Sequence, residues 1–182
     1  MKKMVIDFFF KQAEIGNWDK FTVSDAIKKL KLNEKEFKKD ISSKEDFLRK
    51  YNALVDKEVI EEIKPDDIKN LKKEDILQEL LMIKLEKISP YKAALANILN
   101  YSVTRPKLII LGLKDNKKSI KKFVSIISKN KTTHKSTVLV KLVLGIWLLA
   151  LNKWLYEEGD EGSFALIDKS IKKLKNNTSF LD

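Results

Sequence analysis

The sequence predicts an all-α fold. Three observations support this prediction: glycine and proline are scarce, helix-favouring residues dominate, and apolar residues recur at helical spacing along the chain. Only five glycines and three prolines occur in 182 residues, which leaves room for long helices joined by short turns. The apolar fraction of 43% is ordinary for a globular protein, so the helices are expected to pack around a core.

The composition also limits the chemistry. The chain has no cysteine and a single histidine, His134, in a segment rich in lysine and threonine. No disulfide, thiolate or metal-ligand set can be built from these residues, and there is no glycine-rich phosphate loop. We therefore expect no enzyme, no cofactor and no metal. Asp7 and Lys11 interrupt the N-terminal apolar patch, which argues against a signal peptide and predicts a cytoplasmic protein.

Positive charge is unevenly distributed. The net charge is +11, with +4 in residues 1–50, −2 in 51–102, +9 in 103–136 and zero in 137–182. A basic protein is expected to bind a polyanion or an anionic membrane. The basic segment 103–136 has two interpretations, a solvated lysine-rich surface or an amphipathic contact with anionic lipid.

The N-terminal elements are predicted to form a small helical head. Helix one runs from Lys3 to Glu14 and ends at Gly16, and Trp18 and Phe21 close the core of the head. Residues 22–51 then follow the helix-turn-helix plan, in which two short helices are joined by about three residues. The expected helix caps are Thr22 with Asp25, Asn33 with Glu36, and Ser43.

Inside this helix-turn-helix, the second short helix has an apolar pair. Phe37 and Ile41 lie four residues apart and are expected to face the same core. A longer helix from Lys44 to Glu62 follows, and a polar linker over 65–73 is expected to separate the head from a helical body.

The body is predicted to contain helices over 74–87 and 89–102, and one or two helices over 107–129 with a break near Gly112 or Asn116. A polar loop over 129–136 precedes a very apolar helix over 136–158. Ser163 is expected to cap a final helix that ends near residue 175.

The helix over 136–158 suggests a homodimer. Its uncharged run, 142–151, is too short to span a bilayer, and a helix that is apolar on all sides must be buried on all sides. We expect a second copy to cover it, so that this helix and the last one form a four-helix interface. The expected interface residues are Trp147, Leu151, Trp154, Phe164, Ile167 and Ile171.

Two segments resemble the TetR family of transcriptional regulators. Residues 21–23, Phe-Thr-Val, match the start of the family's helix-turn-helix, and residues 43–48, Ser-Lys-Glu-Asp-Phe-Leu, match its end. The C-terminal order of tryptophan, leucine, acidic turn and amphipathic helix is also similar. The resemblance implies a TetR-like fold, with a three-helix DNA-binding domain over 1–50 and a ligand-binding and dimerisation body over 51–182.

The resemblance implies a repressor that binds a near-palindromic operator in double-stranded DNA as a homodimer and is released by a small hydrophobic effector. The helix 33–41 carries three lysines and three acids, so weak non-specific binding is expected. The implied DNA contacts are phosphates at Thr22 and Lys44, and the groove at Lys35, Lys38 and Lys39. The acids are Glu34, Glu36 and Asp40.

A second hypothesis stays open. A lipid-binding accessory protein of ubiquinone biosynthesis shares the TetR fold without binding DNA, and its C-terminal part also resembles residues 153–174. This resemblance implies that the body holds an isoprenoid or acyl chain and that segment 103–136 faces anionic lipid. The residues expected to line the ligand pocket are Leu77, Leu81, Leu95, Phe123 and Ile127.

Overall fold

The computed structural model describes residues 1–63, 71–128 and 134–181, and every regular element in these ranges is a helix. The all-α prediction is therefore confirmed for this part of the chain. A short 3-10 helix, Ser89–Tyr91, accompanies the α-helices. The α-helices are α1 (Lys3–Glu14), α2 (Val23–Lys29), α3 (Glu34–Asp40), α4 (Lys44–Glu62), α5 (Lys73–Ile88), α6 (Lys92–Ser102), α7 (Pro106–Ile127), α8 (His134–Tyr156) and α9 (Glu161–Asn177).

The helix bounds show where local sequence rules hold and where they fail. α1 and α4 have the predicted bounds. The predicted break near Gly112 or Asn116 is wrong, because α7 is one continuous helix and a single interior glycine costs only about 1 kcal/mol relative to alanine. Ser163 is not a cap: α9 begins at Glu161, and Ser163 is buried within its first turn.

Two sequence predictions fall partly outside the described residues. The polar linker predicted over 65–73 lies outside them up to residue 70, and α5 already begins at Lys73. The polar loop predicted over 129–136 lies outside them up to residue 133, and α8 begins at His134, inside the predicted loop.

The chain forms two compact units. The first unit comprises Met1–Leu54 and Pro90–Asp115, and the second comprises Val55–Ser89 and Asn116–Asp182. The first unit thus contains α6 and the beginning of α7 in addition to the predicted head. The division into domains 1–50 and 51–182 stays a prediction.

An aromatic cluster forms the core of the first unit. Phe9, Phe10 and Phe47 are fully buried, and the rings of Phe9 and Phe47 stack with their centroids 4.2 Å apart. Trp18 and Phe21 are buried against this cluster, as predicted, with their ring centroids 5.5 Å apart. Because α1 and α4 meet through these rings, the cluster holds together the two helices to which α2 and α3 are attached.

Helix α6 closes the same unit against α1. Asn97 donates from Nδ2 to the carbonyl oxygens of Ala13, at 3.0 Å, and Glu14, at 3.1 Å. These carbonyls belong to the last turn of α1, where the usual helical donors are lacking. The backbone N–H of Gly16 also donates to Ala13 over 3.1 Å, and Asn97 adds a donor to both carbonyls. Tyr91 donates its hydroxyl proton to Asp7 over 2.6 Å, which adds a second polar link between the two elements.

The second unit packs α5, α8 and α9 around two tryptophans. Trp147 donates from Nε1 to Asn116 over 2.6 Å, and Trp154 donates from Nε1 to Asp160 over 2.6 Å. Both rings are buried and both indole N–H groups have a partner, as buried tryptophans require. Gln78 of α5 donates to Asp168 of α9 over 2.7 Å.

A buried charge network crosses this core. The Lys84 ammonium donates to the carboxylate of Asp56 over 2.6 Å and to the hydroxyl of Ser119 over 2.9 Å. Asp56 also accepts from Ser119 at 2.9 Å and from Lys122 at 3.0 Å. Burial lowers the pKa of Lys84, and the Asp56 carboxylate acts in the opposite direction. Two ions are thus held in an apolar core by mutual hydrogen bonds.

Candidate nucleic-acid interface

The helix-turn-helix begins at a complete capping box. The backbone N–H of Asp25 donates to Thr22 Oγ1 over 3.2 Å, and the backbone N–H of Thr22 donates to Asp25 Oδ2 over 2.7 Å. The Thr22 hydroxyl also donates to Asp25 Oδ2 over 2.8 Å, and these hydrogen bonds lower the pKa of Asp25. A phosphate at Thr22 would therefore have to replace Asp25 as the acceptor of the hydroxyl proton.

A tight turn then reverses the chain between α2 and α3. Lys31 has a φ of 51°, in the left-handed region that non-glycine residues seldom adopt. The N–H of Leu32 donates to the carbonyl oxygen of Ile27 over 3.0 Å, which holds the turn closed. Asn33 then accepts from the N–H of Glu36 over 3.1 Å, so the predicted cap of α3 is confirmed.

The surface of α3 points away from the core. None of its residues over Glu34–Asp40 is buried, and Phe37 is only partly covered. The prediction that Phe37 and Ile41 share a core is therefore only half right. Ile41 is buried because it leaves the helix in an extended conformation, with a φ of −130°. A helix with no buried residue is free to meet a partner along its length.

The charges on α3 are partly neutralised. Lys38 donates to Glu34 over 2.6 Å, which lowers the pKa of Glu34, and Lys50 pairs with Asp40. Lys35 and Lys39 are exposed and form no ion pair with any residue of the described ranges. The predicted groove-facing lysines thus divide into one paired residue, Lys38, and two unpaired ones.

Lys44 is directed into its own chain. Its ammonium donates to the carbonyl oxygens of Trp18 and Phe21, the latter over 3.1 Å, and lies 5.1 Å from the centroid of the Phe21 ring. Burial lowers the pKa of Lys44. The predicted phosphate ligand therefore already serves a structural purpose, joining the start of α4 to the loop before α2. These hydrogen bonds span more than twenty residues of sequence, so no local pattern could have revealed them.

The first unit as a whole is basic. It contains seventeen lysines and arginines against ten aspartates and glutamates, a net charge of +7. The second unit has a net charge of +4. The unit that contains α2 and α3 therefore has the larger excess of positive charge.

The residues predicted to line a ligand pocket do not share one unit. Leu77, Leu81, Phe123 and Ile127 are buried in the core of the second unit, and Leu95 is a partly buried residue of the first. A cleft of about 140 Å³ lies in the first unit beside Tyr91, below the usual range of about 300–1,000 Å³ for ligand sites. The effector pocket stays a prediction.

The predicted dimer residues are mostly covered within the chain. Trp147, Trp154, Ile167 and Ile171 are buried in the second unit, whereas Leu151 and Phe164 are partly exposed. The exposed face of α8 instead carries Leu142, Gly145 and Leu149, spaced three and four residues apart. Sequence spacing could not separate these faces, because apolar residues occur on all sides of α8. A partner of α8 would meet this second face.

Two further findings concern metals and membranes. Among the described residues, no group of three or more histidine, cysteine, aspartate or glutamate side chains could hold a metal ion.

The segment Ser136–Tyr156 is long and apolar enough to cross a membrane by length and composition alone. The sequence prediction counted only the shorter uncharged run inside it. The core helix of a water-soluble protein passes the same test, and Trp147 and Trp154 are buried in a core.

No protein-family model, no curated protein and no solved structure matches this chain. The resemblance to TetR regulators therefore stays a prediction from the sequence.

Proposed function

We propose that this protein is a TetR-like regulator, acting as a repressor, which binds double-stranded DNA in the cytoplasm through α3. The observation that carries this proposal is the exposed helix α3, which begins at the Asn33 cap, is followed by the Ser43 cap of α4 and contains no buried residue. The net charge of +7 on its unit supports attraction to the DNA backbone. Lys35 and Lys39 supply the unpaired cations, and a small hydrophobic effector would release the DNA.

The proposal is tested with the double variant Lys35→Glu and Lys39→Glu. We expect at least a tenfold loss of affinity for DNA from upstream of the protein's own gene, because two cations near phosphates become anions. Fluorescence anisotropy at several salt concentrations measures this affinity. In the milder variant Lys35→Gln and Lys39→Gln, the slope of log affinity against log salt should become shallower by about 0.9 for each phosphate that the protein no longer neutralises.

The matched control is Lys169→Glu with Lys173→Glu, an equal charge change on exposed residues of α9. This control should bind DNA nearly as well as the wild type, since it leaves α3 intact. Equal reductions in affinity in both double variants would show that the effect comes from the net charge of the protein and not from α3. Absence of any binding to upstream DNA at low salt would refute the proposal.

The regulator is proposed to act as a homodimer through the exposed face of α8. A near-palindromic operator offers two half-sites about 34–36 Å apart along the DNA, one for the α3 helix of each copy. Leu149 is 65% exposed, and an added side-chain carbon at Gly145 would meet no atom within 4 Å, so a second helix could approach closely there.

We expect Leu149→Arg to convert the dimer into a monomer, because the substitution places an unpaired charge in an apolar interface. Light scattering coupled to size-exclusion chromatography measures the molar mass. Leu113→Arg, the same change at an exposed leucine of the first unit, should leave the mass unchanged. A wild-type protein that is monomeric at micromolar concentration would rule out this interface.

A further inference from the structure

Residues at the start of α7 form an exposed apolar patch that DNA binding does not use. Ile109 is 39% exposed, Ile110 51% and Leu113 41%, and Val103, in the turn before α7, is 65% exposed. Ile109 and Ile110 lie four and three residues before Leu113, so helical geometry places the three side chains together on one face. Isolated exposed apolar residues are ordinary, but a contiguous group of them marks a contact surface.

Basic residues border this patch. Lys107 lies three residues before Ile110 and Lys114 four residues after it, so both adjoin Ile110 on the helix surface. Lys117 lies four residues after Leu113 and ends the apolar strip, and Arg105 precedes the helix. All four basic side chains belong to residues at the surface. An apolar strip with lysines at its borders is the pattern of helices that lie in a membrane interface.

The charge of the segment selects its partner. Residues 103–122 contain seven lysines and arginines and one acid, Asp115. Asp115 is partly buried, and its carboxylate lies 3.9 Å from Nε of Arg49. A second copy of the chain meeting this patch would bring like charges together, which opposes self-association here. An anionic surface would meet complementary charge.

The apolar side chains indicate which anionic partner fits the patch, a membrane or a nucleic acid. Isoleucine, leucine and valine offer no aromatic ring on which a base could stack, and phosphate contacts require no apolar strip. The acyl boundary of a bilayer takes up such side chains while its anionic headgroups attract the flanking lysines.

We propose that the α7 patch, formed by Ile109, Ile110 and Leu113 with its flanking lysines, docks on the surface of an anionic membrane. This binding is independent of the DNA-binding function of α3, which lies on other residues. The regulator hypothesis gives no function to the basic segment 103–136. Membrane docking gives one to the part of this segment that the structure describes.

The test is co-sedimentation of the full chain with vesicles. The protein should bind vesicles of phosphatidylcholine with phosphatidylglycerol, bind pure phosphatidylcholine vesicles at least tenfold more weakly, and dissociate as salt rises. Lys107→Gln with Lys114→Gln should weaken binding by about 30-fold, on the scale of roughly 1 kcal/mol for each basic residue near the surface. Ile110→Gln with Leu113→Gln, which keeps every charge, should weaken it by at least tenfold.

Two controls make the outcome decisive. Ile15→Gln with Leu71→Gln removes exposed apolar residues that lie outside both the α7 patch and the dimer face of α8, and it should leave vesicle binding unchanged. Lys35→Glu with Lys39→Glu should impair DNA binding alone, so failure of the regulator proposal is distinguishable from failure of this one. The proposal is overturned if the wild type does not bind anionic vesicles, if Ile110→Gln with Leu113→Gln binds them normally, or if Ile15→Gln with Leu71→Gln weakens binding to the same extent. Circular dichroism confirms that each variant remains helical.

Discussion

Replacing Asp56 with alanine is expected to lower the free energy of unfolding of the second unit by about 3–5 kcal/mol. The variant leaves the Lys84 ammonium in the core without its carboxylate, which it now meets at 2.6 Å. Ser119 and Lys122 are deprived of the same acceptor. The cost is mainly the penalty for an uncompensated buried charge, because the net worth of the intact pair is small.

Urea unfolding, followed by the fluorescence of the buried Trp147 and Trp154, measures this change. Glu61→Ala on the same helix is the matched control, because its ion pair with Lys57 is exposed and is worth less than about 1 kcal/mol. The double variant Asp56→Leu with Lys84→Met should recover most of the stability, since it removes both charges together. If Asp56→Ala shifts the midpoint no further than Glu61→Ala, the network does not hold the core.

Replacing Phe47 with alanine should lower the free energy of unfolding of the first unit by about 3–5 kcal/mol. Phe47 is fully buried, stacks on Phe9 at 4.2 Å, and meets the edge of Phe10 at 5.3 Å between centroids. Alanine would leave a cavity at the point where α1 and α4 meet. Because α2 and α3 are attached to that pair of helices, we expect DNA binding to fail at lower temperatures as well.

Thermal unfolding followed by circular dichroism should show a fall in Tm of at least about 10 °C for a unit of this size. Phe37→Ala is the control: Phe37 is partly exposed on α3, so less buried apolar surface is removed and the fall should be smaller. A Phe47→Ala protein with unchanged Tm would show that the aromatic cluster adds little to the stability of the head.

The helix caps of the head were predictable because they are local. Thr22, Asn33 and Ser43 each bind a backbone N–H three residues further along, and such contacts need no other part of the chain. Gly16, with a φ of 71°, ends α1 for an equally local reason. The same rule failed at Ser163, because cap-forming residue types also occur inside helices when packing buries them.

Helix faces were less predictable. α8 is apolar on several sides, so the spacing of Trp147, Leu151 and Trp154 identified a face but not whether the chain itself would cover it. The sequence does indicate that Lys84 is buried. It lies among apolar neighbours in LLMIKLEKI, at a position that helical spacing assigns to the core. A lysine at such a core position requires a buried partner, but the sequence does not show that this partner is Asp56.

The sequence by itself determined the helical class, the caps of the head and the outward position of the lysines on α3. Each of these depends on residues within about one helical turn of one another. Only the tertiary structure decided that Lys44 binds the loop before α2, that Lys84 pairs with Asp56, and that the start of α7 stays uncovered. These outcomes depend on which distant surfaces meet, and that is settled by packing over the whole unit.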